Sequence, residues 1–517
     1  MKSKLLFLSA DTAATALLLA SCAGGGNNGG NGNNAATSAK SPKYIFYFIG
    51  DGMSTPQINM AEKAVSEEGF LEFFNQKTAG KYNLQPGKLN VRQFTAAGLA
   101  NTHAQNRFIT CSAAAATALA TGNKTDINRV SVTPDASAPY RTIAEMAHDK
   151  GMKVGIITSV SIDHATPSCF YAHCADRNEY ARIDSFLLTT NFEYFGGGFV
   201  RWNTKQHKGL YDYLDQVKAA GYKFVNTRAD FDALKAGDSK VIATIERISS
   251  DTASLPDDAS LPYNMDLCIQ KSENDQIVLS EFLSKAVELL YNDDKGFFIM
   301  TEGGKIDWTD HANDAVSNVY ETIGLDRALG VALDFYAKHP DETLIVLTGD
   351  HECGGLTLGF AGTGYESAFN YMKNQQITAY SFSDSVRAYM KNKASFDFIL
   401  KKIDEYFALG NEEKGLKLSD YEIERLKKAY KVHQDFVKNN KIMIPKEEYK
   451  LYYGSYEPIT VTVTHILDNK SGVDWASFAH TALPVPVFAI GVGADNFNGY
   501  YDNTDIPKKM MQLADLK

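Results

Sequence analysis

Five short apolar runs punctuate the chain: Lys43–Phe48 (KYIFYF), Lys153–Ser159, Phe297–Met300, Thr343–Thr348 (TLIVLT) and Pro486–Ile490. Each is β-branched or aromatic and too short for a helix, which predicts strands buried on both faces. Helical patterns fall between them. Ile109–Gly122 is alanine-rich and stops at a glycine, Asn274–Tyr291 is amphipathic, and Ala312–Lys338 continues as a long helix. Strands alternating with helices predict an α/β fold with a largely parallel sheet. Residues 361–456 break the rhythm with Lys, Tyr and Phe. A capping box at Ser419–Glu422, followed by Ile423, Leu426 and Tyr430 on one face, predicts a mostly helical insertion. Ile459–Ile466 alternates Thr and Val and reads as a strand, though it is short enough to be helix. Between Arg201 and Gln276 the pattern assigns nothing.

The N-terminus reads as a targeting segment. Lys2 and Lys4 precede an apolar stretch, Leu5–Ala20, and the sequence Leu19-Ala20-Ser21-Cys22 resembles a bacterial lipoprotein signal with Cys22 as the lipidated residue. An ordinary cleaved secretory signal is the alternative. Residues 23–41 are rich in Gly and Asn and predict a flexible tether, leaving residues 42–517 as the catalytic portion. The expected location is outside the cytoplasm, on a bacterial membrane by a lipid anchor. A net charge of -10 argues against nucleic acid as a partner, but a local metal cluster can still draw an anionic substrate. Cys169 and Cys174 are close enough in sequence to predict a small disulfide in an oxidising compartment; Cys111, Cys268 and Cys353 have no assignable partner.

The polar residues that matter cluster just beyond the predicted strands. Gly296–Asp314 sets Glu302, Asp307 and His311 on one strand-to-helix loop, and carboxylates with an imidazole make a metal-ligand set. Asp51 lies between two glycines after the first strand, and Asp350-His351 follow the fourth. Repetition is the signal, because the carboxyl ends of parallel strands share one edge of a sheet. Ser112 stands at the mouth of the alanine-rich helix, where a hydroxyl can cap the helix or face an anion held by free N–H groups. Cys111 beside it is not followed by the arginine a cysteine phosphatase needs. Another polar loop carries Asp163, His164, Thr166, His173 and Arg177, and His480 precedes the last strand.

Together these residues resemble the bacterial and animal alkaline phosphatases, from about Lys43 to Gly493. The resemblance rests on TCSAAAATALATG, EGGKIDWTDH, TGDH and HTALPVPVFA, in that order. It implies a three-layer α/β/α sandwich on a mostly parallel sheet, and hydrolysis of small phosphate monoesters through a covalent phosphoserine. It further implies two zinc ions and one magnesium ion. Asp51, Asp350 and His351 would hold the first zinc, Asp307, His311 and His480 the second, and Asp51, Thr166 and Glu302 the magnesium. Ser112 becomes the nucleophile and Arg177 the phosphate clamp; a homodimer is a candidate assembly. Cys111 stands where many family members carry an aspartate that orients the arginine, and His164 and Trp308 occupy positions that differ between branches. A sulfatase would need a C/S-x-P-x-R context, which is absent. A diesterase usually has two metals, and a tethered phosphate-binding protein without turnover would not need Ser112.

His480 implies one more thing. It precedes its strand, whereas the other candidates follow theirs. Were Pro486–Ile490 parallel to the rest, five residues would have to recross a sheet ~17–20 Å deep. The expectation is a mixed sheet with this strand antiparallel.

Overall fold

The computed structural model describes residues 41–66, 88–201, 210–245, 259–269, 276–291 and 294–517. The predicted signal and nearly all of the tether therefore lie outside the described residues. Among those described, no helix is long and apolar enough to cross a membrane.

The strands in chain order are β1 (Tyr44–Gly50), β2 (Ala96–Asn101), β3 (Lys153–Ser161), β4 (Tyr194–Gly198), β5 (Lys223–Val225), β6 (Val241–Thr244), β7 (Phe297–Gly303), β8 (Thr343–Gly349), β9 (Glu352–Cys353), β10 (Leu356–Thr357), β11 (Asp474–Trp475), β12 (His480–Thr481), β13 (Val485–Gly491) and β14 (Gly499–Asp502). Ten of them form one sheet in the order β14-β2-β13-β8-β1-β7-β3-β4-β6-β5. Strand β13 runs antiparallel to both of its neighbours, β8 and β2, while the other pairs in this sheet are parallel. The mixed sheet expected from His480 is thus present.

The central strand explains the layers. Every residue of β1 is buried, and alternate side chains enter different cores. Tyr44, Phe46 and Phe48 pack with Met60, Phe282 and Val319 from the helices Thr55–Ser66, Leu279–Leu290 and Ala315–Tyr336. Ile45, Tyr47 and Ile49 pack with Leu119, Ile143 and Ile506 from Ser112–Thr121, Ile143–Asp149 and Asp505–Leu513. A strand covered on both faces has no polar side, which is why its sequence reads as a continuous apolar run. The protein is a three-layer α/β/α sandwich on a mixed, mostly parallel sheet.

Three readings are corrected. Ile459–Ile466 lies in a helix, Pro458–Ser471, with Pro at its first position and Glu457 accepting from the N–H groups of Ile459 and Thr460. Its β-branched residues are buried almost all round, so packing overrides their strand propensity. Asp307 and His311 are not on a loop but on a short helix, Lys305–His311, that starts well before Ala312. Cys169 and Cys174 are free. Cys169 Sγ packs on the Ser112–Thr121 helix, 3.3 Å from Ala113 O, whereas the backbone of Cys174 pairs with Val130. Strands β2 and β4 were not legible because AAGLAN and YFGGG are poor in β-formers, and they are strands by pairing.

Within residues 361–456 the chain forms the helices Ala379–Lys391, Phe396–Phe407, Asp420–Asn439 and Lys446–Tyr453. The Ser419–Glu422 capping box forms, with Ser419 N–H donating to Glu422 Oε2 at 2.8 Å. Val386, Ile399 and Leu426 of this region join the same core as Phe46.

Candidate active site

Register brings the site together. Gly50 at the end of β1 lies opposite Gly303 of β7 and Gly349 of β8, so three parallel strands finish level. Asp51 and Asp350-His351 follow β1 and β8 directly, and Glu302 is the penultimate residue of β7, opposite Thr158 of β3. Between them Gly52 has φ 76°, and a Cβ there would lie 2.6 Å from Asp307 Cα. Only glycine permits that approach of the first strand to the ligand helix.

One set of donors is Asp51, Asp350 and His351, all fully buried. His351 Nε2 is 3.4 Å from both Asp51 Oδ1 and Asp350 Oδ2. Asp350 Oδ1 accepts from the N–H groups of Gly52 (3.1 Å) and His351 (2.8 Å), which aims Oδ2 inward without a hydrogen-bond partner.

A second set is Asp307, His311 and His480, with Cys353 beside them. Asp307 and His311 are four apart on their helix and share a face. His311 Nδ1 meets Phe478 O at 2.7 Å and His480 Nδ1 meets Thr110 O at 2.9 Å. With each Nδ1 donating to a carbonyl, the two Nε2 atoms face each other across 3.1 Å, and each lies 3.4 Å from Asp307 Oδ1. Three converging lone pairs need a proton or a cation between them. Their spacing approximates the edge of a tetrahedron with bonds of about 2.1 Å.

The third set is Asp51, Glu302 and His164. Thr166 Oγ1 donates to Asp51 Oδ2 at 3.3 Å, and Thr158 Oγ1 donates to Glu302 Oε2, leaving Glu302 Oε1 buried without a partner. Arg177 Nη2 lies 3.1 Å from His164 Nε2, within the electrostatic reach of Asp51 and Glu302.

Ser112 is the first residue of its helix and Cys111 is the cap, without a side-chain capping bond. Ser112 Oγ instead sits 3.4 Å from both Asp51 Oδ1 and His351 Nε2. The ten residues given roles by the resemblance therefore meet in one place, whereas His173 of the same polar loop pairs with Glu145 instead. His164 and Cys353 are donors the sequence did not assign. The H-E-C spacing after β8 is a signal for Cys353, since residues two apart in extended chain share a face.

The electrostatics demand positive charge. Burial, then Asp350, Asp307 and Glu302, hold Asp51 well above the usual carboxylate range. Burial pushes Glu302 up to about 8 against its bond from Thr158, and burial with Asp307 pushes Asp350 up to about 7. Burial also opposes ionisation of Asp307, but His311, His480 and His351 outweigh it and carry Asp307 well below its ordinary value. Burial, then Arg177 and Arg201, keep His164 neutral. Crowded carboxylates beside imidazoles, with His164 and His351 held well below their ordinary value by burial, fit divalent cations.

A model of the alkaline phosphatase family matches residues 42–191 and 200–516. The chain belongs to the alkaline phosphatase family. It is 30% identical over 411 residues to alkaline phosphatase 3 of Bacillus subtilis, covering 78% of this chain and 77% of that protein. The cold-active alkaline phosphatase of a psychrophilic Shewanella species is similar in fold, with a TM-score of 0.70 and 25% identity over 91% of this chain and 99% of that one. A TAB5 alkaline phosphatase variant, with a histidine replaced by glutamate and magnesium bound in a site called M3, has a TM-score of 0.58 and 24% identity over 93% of this chain and 100% of that one. As an alkaline phosphatase, the chain is a phosphomonoesterase.

Proposed function

We propose that the chain hydrolyses phosphate monoesters through a covalent phosphoserine on Ser112. Asp51, Asp350 and His351 would hold one zinc ion, Asp307, His311 and His480 a second, and Asp51, Thr166 and Glu302 magnesium. The observation that carries this reading is the pair of Nε2 atoms 3.1 Å apart whose Nδ1 partners are backbone carbonyls. Bound metals would lower the pKa of the serine hydroxyl and offset charge on the attacking and leaving oxygens. Ser112 attacks from a helix N-terminus, where free N–H groups and the dipole favour a phosphoryl group. The Arg177 guanidinium grips two phosphoryl oxygens, and His164 steadies one of its amino groups. Burial of Asp51 and His351 excludes bulk water from the attacking oxygen.

The test is the pre-steady-state burst with an aryl phosphate. Ser112→Ala should lose the phosphoenzyme and nearly all turnover while still binding inorganic phosphate; wild-type burst kinetics in that variant would sink the reading. The histidine in the third donor set favours a second reading of that position, an ion that accepts nitrogen. Cobalt restoring more activity than magnesium after chelation would select it. At the N-terminus, the lipoprotein reading predicts fatty-acid labelling that Cys22→Ala abolishes and full activity in a chain lacking residues 1–41. Label retained by Cys22→Ala would overturn it.

A further inference from the structure

We propose that Cys353 Sγ is a fourth protein donor to the ion held by Asp307, His311 and His480. This rests on the metal reading of that site and goes beyond it, because it adds a thiolate to the Asp-His-His set.

The argument starts from strand pairing. In the antiparallel pair β9–β12, Cys353 lies directly opposite His480, and directly opposed residues project to the same side with Cβ atoms about 5 Å apart. Cys353 ends the two-residue strand β9, which begins directly after His351. Its sulfur and one donor atom from each of Asp307, His311 and His480 all lie within 4.8 Å of one another. The residue is fully buried, so the thiol has no solvent to face. The backbone is held on every side: Cys353 N–H donates to Gly52 O (3.2 Å), Cys353 O accepts from Gln57 Nε2 (3.3 Å), and Gly354 N–H donates to Ala479 O (3.0 Å). These bonds fix the Cα, and with it the direction of a side chain that has one rotatable bond to its sulfur.

The chemistry follows from the donor. On binding the ion the thiol would give up its proton, first to the Asp307 carboxylate that faces it and from there to bulk water as the cation takes the proton's place. A thiolate is soft, so it biases this position toward zinc or cobalt and away from magnesium. With four protein donors available to that ion, the thiolate would compete for it with a leaving-group oxygen. The neighbouring set of Asp51, Asp350 and His351 has no sulfur among its donors.

Cobalt substitution of the full chain reads the bond directly. Wild-type protein loaded with cobalt should show an intense near-ultraviolet thiolate-to-cobalt band alongside the visible bands of imidazole-bound cobalt. The near-ultraviolet band should persist in Cys111→Ala and vanish in both Cys353→Ser and Cys353→Ala. Zinc retention against a competing chelator should fall by at least about tenfold in the two Cys353 variants, a loss of the size produced even by outer partners of a metal site. Visible bands without the near-ultraviolet band in wild type overturn the inference while leaving the metal site intact. No cobalt bands at all would instead remove the metal reading beneath it. The wild-type spectrum alone decides between these, whether or not a Cys353 variant folds.

Discussion

Ser112 and Cys111 divide two jobs that a single capping residue could have done. The cap position holds a sulfur that makes no capping bond, and the hydroxyl one residue later points at Asp51 and His351. Cys111 Sγ accepts from the N–H of Asn128 at 3.2 Å, and Asn128 O accepts from the N–H of Arg177 at 2.8 Å. Where the resemblance calls for an aspartate on the guanidinium, this chain anchors the backbone of the arginine loop. Sulfur is a weak acceptor, worth well under 1 kcal/mol here, so Cys111→Ala should change kcat/KM by no more than about threefold. A loss of two orders of magnitude would place Cys111 in the chemistry. Arg177→Lys should do far more damage, because a point charge cannot replace the planar fork; KM and phosphate inhibition constants would both rise.

Helices around the site have their ends secured by carboxylates. Asp314 caps Ala315–Tyr336 by accepting from Ser317 N–H at 3.0 Å, and it also accepts from Gln375 Nε2 (2.9 Å) and Ala379 N–H (2.7 Å). One side chain thus joins the helix after the ligand helix to the region of residues 361–456. Asp314→Ala should cost about 3 kcal/mol in urea unfolding, a cap plus buried donors left unpaired; a change below 1 kcal/mol would show that the joint is dispensable. A second element carries a pH dependence. Glu145 completes the capping box of Ile143–Asp149, and His173 Nε2, on the segment leading to Arg177, lies 3.0 Å from its Oε1. Burial opposes the charge on His173, but Glu145 and Ser131 O raise it above 6.5; burial likewise opposes Glu145, but His173 and Thr142 lower it below 4.5. The raised histidine contributes fully below 6.5 and is lost as pH rises through its folded pKa. The lowered glutamate contributes above 4.5 and is lost as pH falls through its own. The stability difference between wild type and His173→Gln should therefore peak at about 1 kcal/mol between those values and shrink on both sides. A difference that does not vary with pH contradicts the pairing.

At the scale of the whole molecule, three parallel strands ending level and one antiparallel strand returning to the same edge build the site. Removing the metals leaves Asp51, Glu302 and Asp350 crowded without cations, so a chelator should abolish activity and lower Tm by several degrees, and Tm should climb again with zinc concentration. An unchanged Tm would mean that the donors hold no ion. The sequence by itself determined the strands around Phe46, Ile156, Ile299, Ile345 and Val487, because burial on both faces leaves only apolar residues, and it showed candidate Asp, Glu and His donors just beyond three of them. It also determined the direction of β13, since a chain between His480 and Val485 is too short to recross the sheet. Tertiary structure decided what local pattern could not encode. Strands β2 and β4 exist through their neighbours, Thr460–Ile466 is helical because it is buried all round, and Cys169 and Cys174 stay apart because each is held by a different partner. That Cys353 lies opposite His480 was decided by the β9–β12 register, a contact between segments more than a hundred residues apart.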